Sequence, residues 1–561
     1  MTTLAEYLAE SLISLGIKNV YGVIGTSILD FVDTLYSYRD RIRYITTRHE
    51  QTAISMADGE YRVSGNYSAA LVHAGPGFLN SLLGLGVAYK DRVPILLISG
   101  GVKRRLKGSN AWLEIDQQTI AKPLTKYSVR LEDPDEIDNI LRKLVRASFT
   151  KPYGPSMIEI PEDIWGRELN IDSKPPKIDE LKTPLKRPSI EDIEYVVKKF
   201  LECERPAILV CGEAALPDIE NILEDIASRL GTYIITTGNA RGACKEGGRR
   251  CLGRVGFGGG SILADKVLET ADLLLVLGDE LDDITTYNYL IYPQGDIIVV
   301  SESPDIGKRH VYYEYIIDSD PKIFIEYLLE YITSKDISKV NSGWDEYIDK
   351  LKREWMNMVN ESISRKYDGY VNPAKFFKVL AEYLPEDAII SGGQGVHIVY
   401  TYVYMKLRKP RRFLAATNLG AMSYAFPAAM GAKVAYPDTE SIAVVGDGEF
   451  MMAIQDFETC VREDIPVKVV VVNDNSYRVL LLRQRIQKMG RIYGTILSNP
   501  SFEGLARLYG GEGYTVDDDG KIMEGIELLL NTEKPFILDL IISPEDLPPI
   551  NIDASLKMAG A

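Results

Sequence analysis

The chain has 561 residues, of which 45% are hydrophobic and 26% are charged, an ordinary composition for a globular protein. At ~150 residues per domain, this length favours about three domains. Asp and Glu number 80 against 64 Lys and Arg, and the resulting net charge of −16 argues against nucleic acid or an anionic membrane as the main partner.

The first 169 residues alternate helical patterns with short apolar runs, which predicts a domain with a parallel sheet and flanking helices. The amphipathic start lacks the basic region and cleavage site of a signal peptide. No apolar run reaches the ~18 residues that a transmembrane helix needs, so we expect a cytoplasmic protein without a membrane partner. The strands predicted in this domain are 44–48, 67–75, 94–100 and 155–161.

Two more domains of the same kind are predicted, which makes the fold class α/β with three doubly wound parallel sheets. A Pro- and Lys-rich linker, 170–188, precedes the central domain, 189–341, and a polar helix, 342–370, leads to the third domain, 371–545. A tail follows at 546–561. The strands predicted in these domains are 206–212, 232–238, 272–280, 296–301, 388–393, 441–448, 466–474 and 535–542.

The five cysteines form no CxxC motif and no paired framework. We therefore expect them to be reduced thiols, which agrees with an intracellular location. They are Cys203, Cys211, Cys244, Cys251 and Cys460.

Two acidic residues follow apolar strands in the third domain. Asp447 lies in a Gly-Asp-Gly turn directly after SIAVV, and Asp474 lies in Asn-Asp-Asn directly after VKVVVV. Because ligands of open α/β sheets bind at the carboxyl ends of the strands, both carboxylates are expected at one crevice. Two carboxylates and a backbone carbonyl suit Mg²⁺, which usually shares its ligands with phosphate. Gly446 and Gly448 allow the backbone to approach an anion, and the helix predicted over 449–464 would point its N-terminus at that anion.

This spacing resembles the thiamine diphosphate (ThDP) motif, in which Gly-Asp-Gly is followed one strand later by an Asn-Asn or Asn-Asp pair. The resemblance implies that Asp447, Asp474 and the main-chain carbonyl of Ser476 bind Mg²⁺. Asp stands at position 474 where Asn is commoner in the family, a change that a divalent cation tolerates. The cofactor-binding residues implied in this segment are Gly446, Asp447, Gly448, Asp474, Ser476 and Tyr477.

Two other segments match regions of that family that handle the pyrimidine ring. RHEQTAISMADGEYRVSG implies that Glu50 keeps the pyrimidine in the imino form that takes the proton from thiazolium C2. NLGAMSYAFPAAMGAKVAYP implies that Met422 wedges the cofactor into a bent shape and that the Gly420 carbonyl holds the pyrimidine amino group. Taken alone, an Arg-His-Glu-Gln run is more often an exposed helix start, and a methionine such as Met422 is more often a core residue.

Two glycine-containing loops also resemble segments of the thiamine diphosphate family. GGQGVH resembles the diphosphate-binding loop, so Gly395 and His397 would contact the diphosphate and Gln394 would lie near the thiazolium. GVIGTS resembles the loop over the thiazolium, which implies roles for Gly25 and Thr26.

The resemblance covers residues 1 to about 545 and is closest to the acetolactate synthase branch. It implies at least a homodimer, or a homotetramer, because Glu50 of one subunit would meet Asp447 of another. It leaves open whether a small regulatory subunit binds.

The family's chemistry is attack of a C2 carbanion on a carbonyl, C–C cleavage that is often a decarboxylation, and transfer of the enamine to a proton or a second carbonyl. Leu480 stands where pyruvate decarboxylases carry a proton-donating glutamate, and the chain has no His-His pair. An apolar residue there disfavours protonation, so we expect carboligation. Two roles are open for His73, which is expected near Thr26. It is either a catalytic histidine, as in benzoylformate decarboxylase-like enzymes, or a structural, hydrogen-bonded one.

Other substrate-facing positions depart from the synthase pattern. Phe-Gln-Glu becomes Trp-Leu-Glu, so Leu113 lacks the substrate-facing amide, while Gln117 of the same segment fits the pattern. Arg483 replaces a tryptophan, and Arg478 lies nearby. The two arginines suggest either a carboxylate- or phosphate-bearing substrate or exposed helix charges.

The central domain contains RVGFGGG, which resembles the flavin loop of acetolactate synthases. Those enzymes continue with Arg-Phe-Asp-Asp-Arg, whereas this chain has Glu280 and Ile284 in place of the two arginines. A glutamate near a pyrophosphate is unfavourable, so we predict that FAD does not bind. Binding of an ADP-like group through Arg254, as in the related acyl-CoA lyases and oxalyl-CoA decarboxylases, stays an alternative.

We therefore expect a ThDP- and Mg²⁺-dependent 2-oxoacid decarboxylase/carboligase that is similar to the catalytic large subunit of acetolactate synthases. One alternative is a 2-hydroxyacyl-CoA lyase or an oxalyl-CoA decarboxylase-like enzyme. Another is a simple decarboxylase similar to benzoylformate or pyruvate decarboxylase. A third is a ThDP-binding protein without catalysis, against which the intact Glu50, Asp447, Asp474 and Met422 argue.

Overall fold

The computed structural model describes residues 2–171, 173–303, 310–551, 554–555 and 557–558. It contains three six-stranded sheets, and the strand pairs with a defined register run parallel. Helices lie between most of the consecutive strands along the chain. The predicted α/β fold with three parallel sheets is therefore confirmed.

Each sheet is formed by six consecutive strands. Those of the first sheet are β1 Asn19–Gly22, β2 Arg43–Thr46, β3 Ser68–Val72, β4 Ile95–Gly101, β5 Tyr127–Arg130 and β6 Ser156–Pro161, in the order β2-β1-β3-β4-β6-β5. Those of the second are β7 Pro206–Val210, β8 Tyr233–Thr236, β9 Cys251–Arg254, β10 Leu273–Leu277, β11 Asp296–Val300 and β12 Tyr315–Ile317, in the order β12-β11-β10-β7-β8-β9. Those of the third are β13 Ile389–Gly392, β14 Phe413–Leu414, β15 Ser441–Gly446, β16 Lys468–Asn473, β17 Glu512–Val516 and β18 Phe536–Ile541, in the order β14-β13-β15-β16-β18-β17.

The α-helices connect these strands. They are α1 Leu4–Ser14, α2 Leu29–Tyr36, α3 Glu50–Ser64, α4 Pro76–Lys90, α5 Gln117–Ala121, α6 Ile137–Ser148, α7 Ile190–Glu202, α8 Ile219–Leu230, α9 Ile262–Thr270, α10 Pro321–Ser334, α11 Ser342–Ser364, α12 Pro373–Tyr383, α13 His397–Tyr404, α14 Ala425–Ala435, α15 Asp447–Phe450, α16 Phe457–Arg462, α17 Arg478–Gln487, α18 Phe502–Leu508 and α19 Ile522–Asn531. Within the described ranges, none of the helices combines the length and the apolarity that a membrane crossing needs.

Every apolar run that we predicted as a strand contains one, but six strands were missed. They are β1, β5, β9, β12, β14 and β17. All except β1 lie at the edge of a sheet. The strands β5, β12 and β17 are partly exposed and so lack the continuous apolar run of a buried parallel strand. The strands β9 and β14 are mostly buried but have only four and two residues, too few to form a recognisable run.

The single helix predicted over 449–464 is wrong. The structure has the short α15, a 3₁₀ turn at 454–456, and then α16. Asp456 accepts a hydrogen bond from the Arg48 N–H at 2.7 Å and from the Thr52 hydroxyl at 2.6 Å. These tertiary contacts explain why the chain turns here instead of continuing as a helix.

Contacts divide the chain into two compact units. The first comprises Met1–Pro184, Ala416–Ser441 and Met451–Val467, and the second comprises Leu185–Ala415, Ile442–Phe450 and Lys468–Ala561. The first sheet, α14 and α16 thus belong to the first unit, whereas the second and third sheets belong to the second. The predicted domain and linker boundaries stay predictions.

Within the first unit, α3 and α14 contact each other through their backbones. A Cβ added to Gly59 of α3 would overlap the Ala428 carbonyl oxygen, and one added to Gly431 of α14 would overlap the Met56 carbonyl oxygen. Only glycine permits an approach as close as this between two helices.

The prediction of five reduced cysteines is wrong for two of them. Cys244 and Cys251 form a disulfide with an S–S distance of 2.02 Å. Their separation of 7 residues fits no redox motif, but the loop after β8 brings the first cysteine back to the start of β9. Cys203, Cys211 and Cys460 are free cysteines.

Candidate active site

The third sheet reverses its strand order between β13 and β15, and the loops after these strands hold many of the predicted cofactor residues. Gly446, the last residue of β15, pairs with Val472 of β16, and Asp447 follows it. Gly393, directly after β13, donates its N–H to the Val444 carbonyl at 2.8 Å. The loop after β13, Asp447 and the loop after β16 therefore share one edge of the sheet, where open α/β sheets bind ligands.

Asp447 and Asp474 are buried together. Asp447 is 2% exposed, and the side chain of Asp474 is 4% exposed. Burial and then the charge of Asp474 raise the pKa of Asp447 to about 6. Burial also raises the pKa of Asp474, against the opposing effect of Arg478. Because a divalent cation would offset the repulsion between two buried carboxylates, this donor set fits Mg²⁺.

Ser476 and Tyr477 lie beside these carboxylates. The Ser476 hydroxyl donates to Asp474 at 2.8 Å, and the Tyr477 N–H donates to the Thr495 carbonyl at 2.9 Å. A Cβ added to Gly448 would lie 2.6 Å from the Tyr477 ring. Among the described residues, no group of three or more His, Cys, Asp or Glu side chains could hold a metal; the predicted site uses two carboxylates and a main-chain carbonyl.

Asn499 is a residue of this site that sequence reasoning missed. Its side-chain amide donates to Asp447 at 2.6 Å, to Asn473 at 3.2 Å and to Asn475 at 3.1 Å. The Leu497 N–H donates to the Asn475 carbonyl at 2.7 Å and fixes the same loop. Asn499 lies 52 positions from Asp447 in a segment without apolar periodicity, so no local pattern could have identified it.

Glu449 is a second unpredicted residue, and it shapes the loop after β13. Its carboxylate accepts the Gln394 N–H at 2.8 Å, and its Oε2 lies 3.0 Å from His397 Nε2. The other oxygen, Oε1, is buried without a hydrogen-bond partner in the described structure. A Cβ added to Gly395 or Gly446 would lie 2.6 or 2.8 Å from the His397 ring. The space beside the His397 ring, which a side chain would fill, fits the placement of a cofactor here.

The interpretation of Arg478 as an exposed helix charge is wrong. Arg478 is 7% exposed and donates to the main-chain carbonyls of Ser543, at 3.0 Å, and Asp546. It also donates to the Tyr400 hydroxyl at 3.3 Å, and its Nε lies 3.3 Å from Asp474. Arg478 is therefore a buried cation beside Asp474, and its role towards a substrate stays a prediction.

The other specificity candidates of this segment lie on α17. Leu480 is 51% exposed, and Arg483 is exposed with its Nε 3.4 Å from the Gln487 side chain. Their roles stay predictions.

Glu50 lies in the first unit as the first residue of α3. His49 caps this helix by accepting the Gln51 N–H at 3.2 Å. Glu50 is 8% exposed, and its Oε2 accepts from the Asn80 side chain at 3.0 Å. Oε1 makes no hydrogen bond within the described residues, and Gly77 leaves room for it, since a Cβ there would lie 3.1 Å away. One carboxylate oxygen is thus fixed and the other is available.

Gly25 and His73 lie close together in the first unit, and Thr26 begins a 3₁₀ turn directly after Gly25. A Cβ added to Gly25 would overlap the His73 ring. The hydroxyl of Ser27, which the sequence did not single out, lies 2.7 Å from His73 Nδ1. Burial lowers the pKa of His73, against the effect of nearby glutamates. Both roles of this histidine stay open.

Gly420 and Met422 also belong to the first unit. Gly420 is exposed with a φ of 68°, and Met422 is half-buried and so is not a core residue. The neighbouring Ser423 accepts a hydrogen bond from the Gln51 side chain, which ties this segment to the start of α3.

Leu113 and Gln117 line a cavity of about 560 Å³ in the first unit. Leu113 has a φ of 72°, and its carbonyl oxygen would lie 2.7 Å from a Cβ at Gly75. Gln117 is 2% exposed, donates to the Gly100 carbonyl at 2.9 Å and accepts from the Ser99 hydroxyl at 2.6 Å. Both ends of the Gln117 amide are therefore bound to β4.

The second sheet reverses its order between β7 and β10, and Glu280 occupies the crevice at this point. Its carboxylate accepts from the Gly212 N–H at 3.0 Å, from the Asn239 side chain at 3.1 Å and from the Thr237 hydroxyl. A nucleotide phosphate at this edge would need the same donors. Because Glu280 takes them and adds a negative charge, the crevice does not fit a flavin pyrophosphate; the absence of FAD stays a prediction. Arg254 is 5% exposed and donates to two main-chain carbonyls of the following loop.

Comparison with known proteins agrees with this arrangement. The N-terminal TPP binding domain of thiamine pyrophosphate enzymes matches residues 2–120, the central domain matches 193–328, and the C-terminal TPP binding domain matches 393–540. A probable acetolactate synthase large subunit of Methanocaldococcus jannaschii is 30% identical over 97% of this chain and 93% of the relative. The acetolactate synthase isozyme 3 large subunit of Escherichia coli is 27% identical over 98% of this chain and 96% of the relative. The acetolactate synthase large subunit of Corynebacterium glutamicum is 29% identical over 96% of this chain and 87% of the relative.

Proposed function

Because the chain belongs to the acetolactate synthase-like branch of the thiamine pyrophosphate enzymes, and is therefore a ThDP-dependent carboligase, we propose that it joins two pyruvate molecules with loss of carbon dioxide to form acetolactate. The product comes from the names of the relatives, and the choice of pyruvate as the substrate is part of the proposal. The observation that carries the assignment to this chain's own residues is the buried pair Asp447 and Asp474 beside the loop that holds His397.

In this proposal the second unit holds the cofactor. Asp447, Asp474 and the Ser476 carbonyl would bind Mg²⁺, and Gly395 and His397 would bind the diphosphate. When bound, ThDP supplies the nucleophilic carbon and the electron sink for the carbonyl substrate. A bound cation would keep both carboxylates ionised at neutral pH, although burial raises the pKa of each.

Glu50 would exchange a proton with the pyrimidine of the cofactor. Asn80 fixes Oε2, which leaves Oε1 for this exchange, and Gly77 provides the space. We place Glu50 of one subunit at the cofactor held by Asp447 of another, which requires a homodimer or homotetramer. The relatives are named large subunits, so a small regulatory subunit belongs to the proposal as well. The cytoplasmic location stays a prediction.

Leu480 supports carboligation over simple decarboxylation. It is an exposed apolar residue near the start of α17, two positions after Arg478. A leucine cannot donate a proton, whereas a glutamate at this position would do so. The proposed reaction needs no FAD, in agreement with Glu280 in the central crevice.

Proton NMR of pyruvate incubated with the purified protein, Mg²⁺ and ThDP tests this function. No FAD is added, and the visible absorbance of the protein checks that none has co-purified. Acetolactate would support the synthase reaction without flavin. Acetaldehyde as the only product would indicate a simple decarboxylase. Unchanged pyruvate would overturn the substrate assignment in favour of a larger oxoacid or an acyl-CoA.

A further inference from the structure

A cavity of about 320 Å³ lies in the second unit beside β9, the edge strand of the central sheet. Its walls come from residues 246–254, from α11 and from the end of α13. None of the residues that we assign to ThDP lines it. The crevice of the central sheet lies between β7 and β10, two strands away from β9. We propose that this cavity is a separate binding site for a small phosphate-bearing anion.

Positive charge dominates the lining of the cavity. Its cationic residues are Arg249, Arg254, Lys352 and Lys406. Its one acid, Glu246, forms a two-point ion pair with the buried Arg241, with distances of 3.0 and 2.6 Å. The charge of Glu246 is therefore compensated by a residue outside the lining. In a chain with a net charge of −16, such a concave basic surface would concentrate anions locally.

The two lysines lack an acidic partner within ion-pair distance in the described structure. Lys352 donates to the Arg249 carbonyl at 2.6 Å and lies 5.6 Å from the centre of the Tyr233 ring. Lys406 makes no hydrogen bond or ion pair among the described residues. Burial lowers the pKa of both ammonium groups. An anion in the cavity would stabilise the two charges.

The two arginines of the lining are partly occupied by contacts within the protein. The Arg254 guanidinium is partly engaged, because it donates to the Gly256 and Phe257 carbonyls at 3.2 and 2.7 Å and lies 4.4 Å from the centre of the Tyr402 ring, but its buried Nε has no hydrogen-bond partner in the described structure. Arg249 is at the rim, with its side chain 72% exposed and 3.5 Å from Asp345. The two lysines, which have no acidic partner within ion-pair distance in the described structure, are the main cations available to a ligand, and lysine binds phosphate as a point charge.

The backbone around the cavity also suits a phosphate. Gly247, Gly248 and Gly253 contribute to the lining without side chains. Gly247 and Gly253 have φ values of 87° and 91°, which favour glycine. Without a Cβ the main chain can approach the oxygens of an anion closely, as glycine-rich phosphate loops do.

Isothermal titration of inorganic phosphate into the holoenzyme tests the site. The enzyme is saturated with ThDP and Mg²⁺ in a phosphate-free buffer, so that the diphosphate site is filled. The double variant Lys352→Gln/Lys406→Gln should bind phosphate roughly tenfold more weakly or worse. Lys350→Gln is the matched control, because Lys350 is an exposed residue of the same helix that pairs with Glu354, and it should bind as the unchanged protein does.

Succinate is the comparison ligand, and it should bind more weakly than phosphate. Should the double variant fail to fold, the single variant Lys406→Gln replaces it, and the loss of this one charge should weaken phosphate binding severalfold. Absence of phosphate binding, equal binding by the lysine and control variants, or tighter binding of succinate would each overturn the proposal.

Discussion

The Asn499 side chain donates a hydrogen bond of 2.6 Å to Asp447 and at the same time binds the loop after β16 through Asn473 and Asn475. It therefore connects the turn that carries Asp447 with the loop that carries Asp474. Residues that orient a metal ligand from behind often matter to affinity nearly as much as the ligand itself.

Replacing Asn499 should weaken cation binding. We expect Asn499→Ala to raise the Mg²⁺ concentration needed for half-maximal activity by about 10–100-fold, because Asp447 loses the group that fixes its orientation. Activity at saturating ThDP is measured as a function of Mg²⁺. The exposed neighbour Ser498 gives the control Ser498→Ala. An unchanged Mg²⁺ dependence in Asn499→Ala would show that Asp447 is held by other contacts.

Glu50→Gln separates proton exchange from cofactor binding. The amide keeps the size of the side chain but cannot exchange the proton, so we expect turnover to fall by about 10²–10⁴-fold. Binding of ThDP, measured by calorimetry on the same preparation, should change much less. A variant with full turnover would remove Glu50 from this role, and a variant that no longer binds ThDP would indicate a structural role.

The sequence was informative where a functional residue follows a buried strand. Asp447 and Asp474 come directly after β15 and β16, so strand prediction alone placed both at one sheet edge. Asn499 could not be found in this way, because only tertiary contacts bring it to Asp447. Arg478 was misread for the same reason: its helix position suggested exposure, but the Ser543 and Asp546 carbonyls bury it.

Two other errors have a similar origin. The disulfide depends on how the loop after β8 returns to β9, which the spacing of Cys244 and Cys251 does not reveal. The edge strands β5 and β17 are only partly buried, so their sequences lack the apolar run that marked the central strands.

Gly431→Ala should destabilise the first unit. The added methyl group would overlap the Met56 carbonyl at the contact of α14 with α3, and overpacking of this kind costs about 1–3 kcal/mol. The free energy of unfolding is measured with denaturant. Gly343→Ala is the control, because a Cβ at Gly343 has no neighbour within 4 Å. Equal stability of the two variants would mean that the helices can separate at little cost.

Asp265 should make stability depend on pH between about 4 and 6. Burial raises its pKa from 3.8 to about 6, against hydrogen bonds from the Gly256 N–H and the Tyr287 hydroxyl. Since the folded-state pKa is the higher one, the contribution of this group to stability is complete below pH 3.8 and is lost as the pH rises through about 6. Asp265→Asn cannot titrate, so the unfolding free energy of the unchanged protein should fall relative to this variant by about 2 kcal/mol from pH 4 to pH 7. Denaturant unfolding of both proteins at several pH values measures this difference, and parallel pH profiles would show that Asp265 has an ordinary pKa in the folded protein.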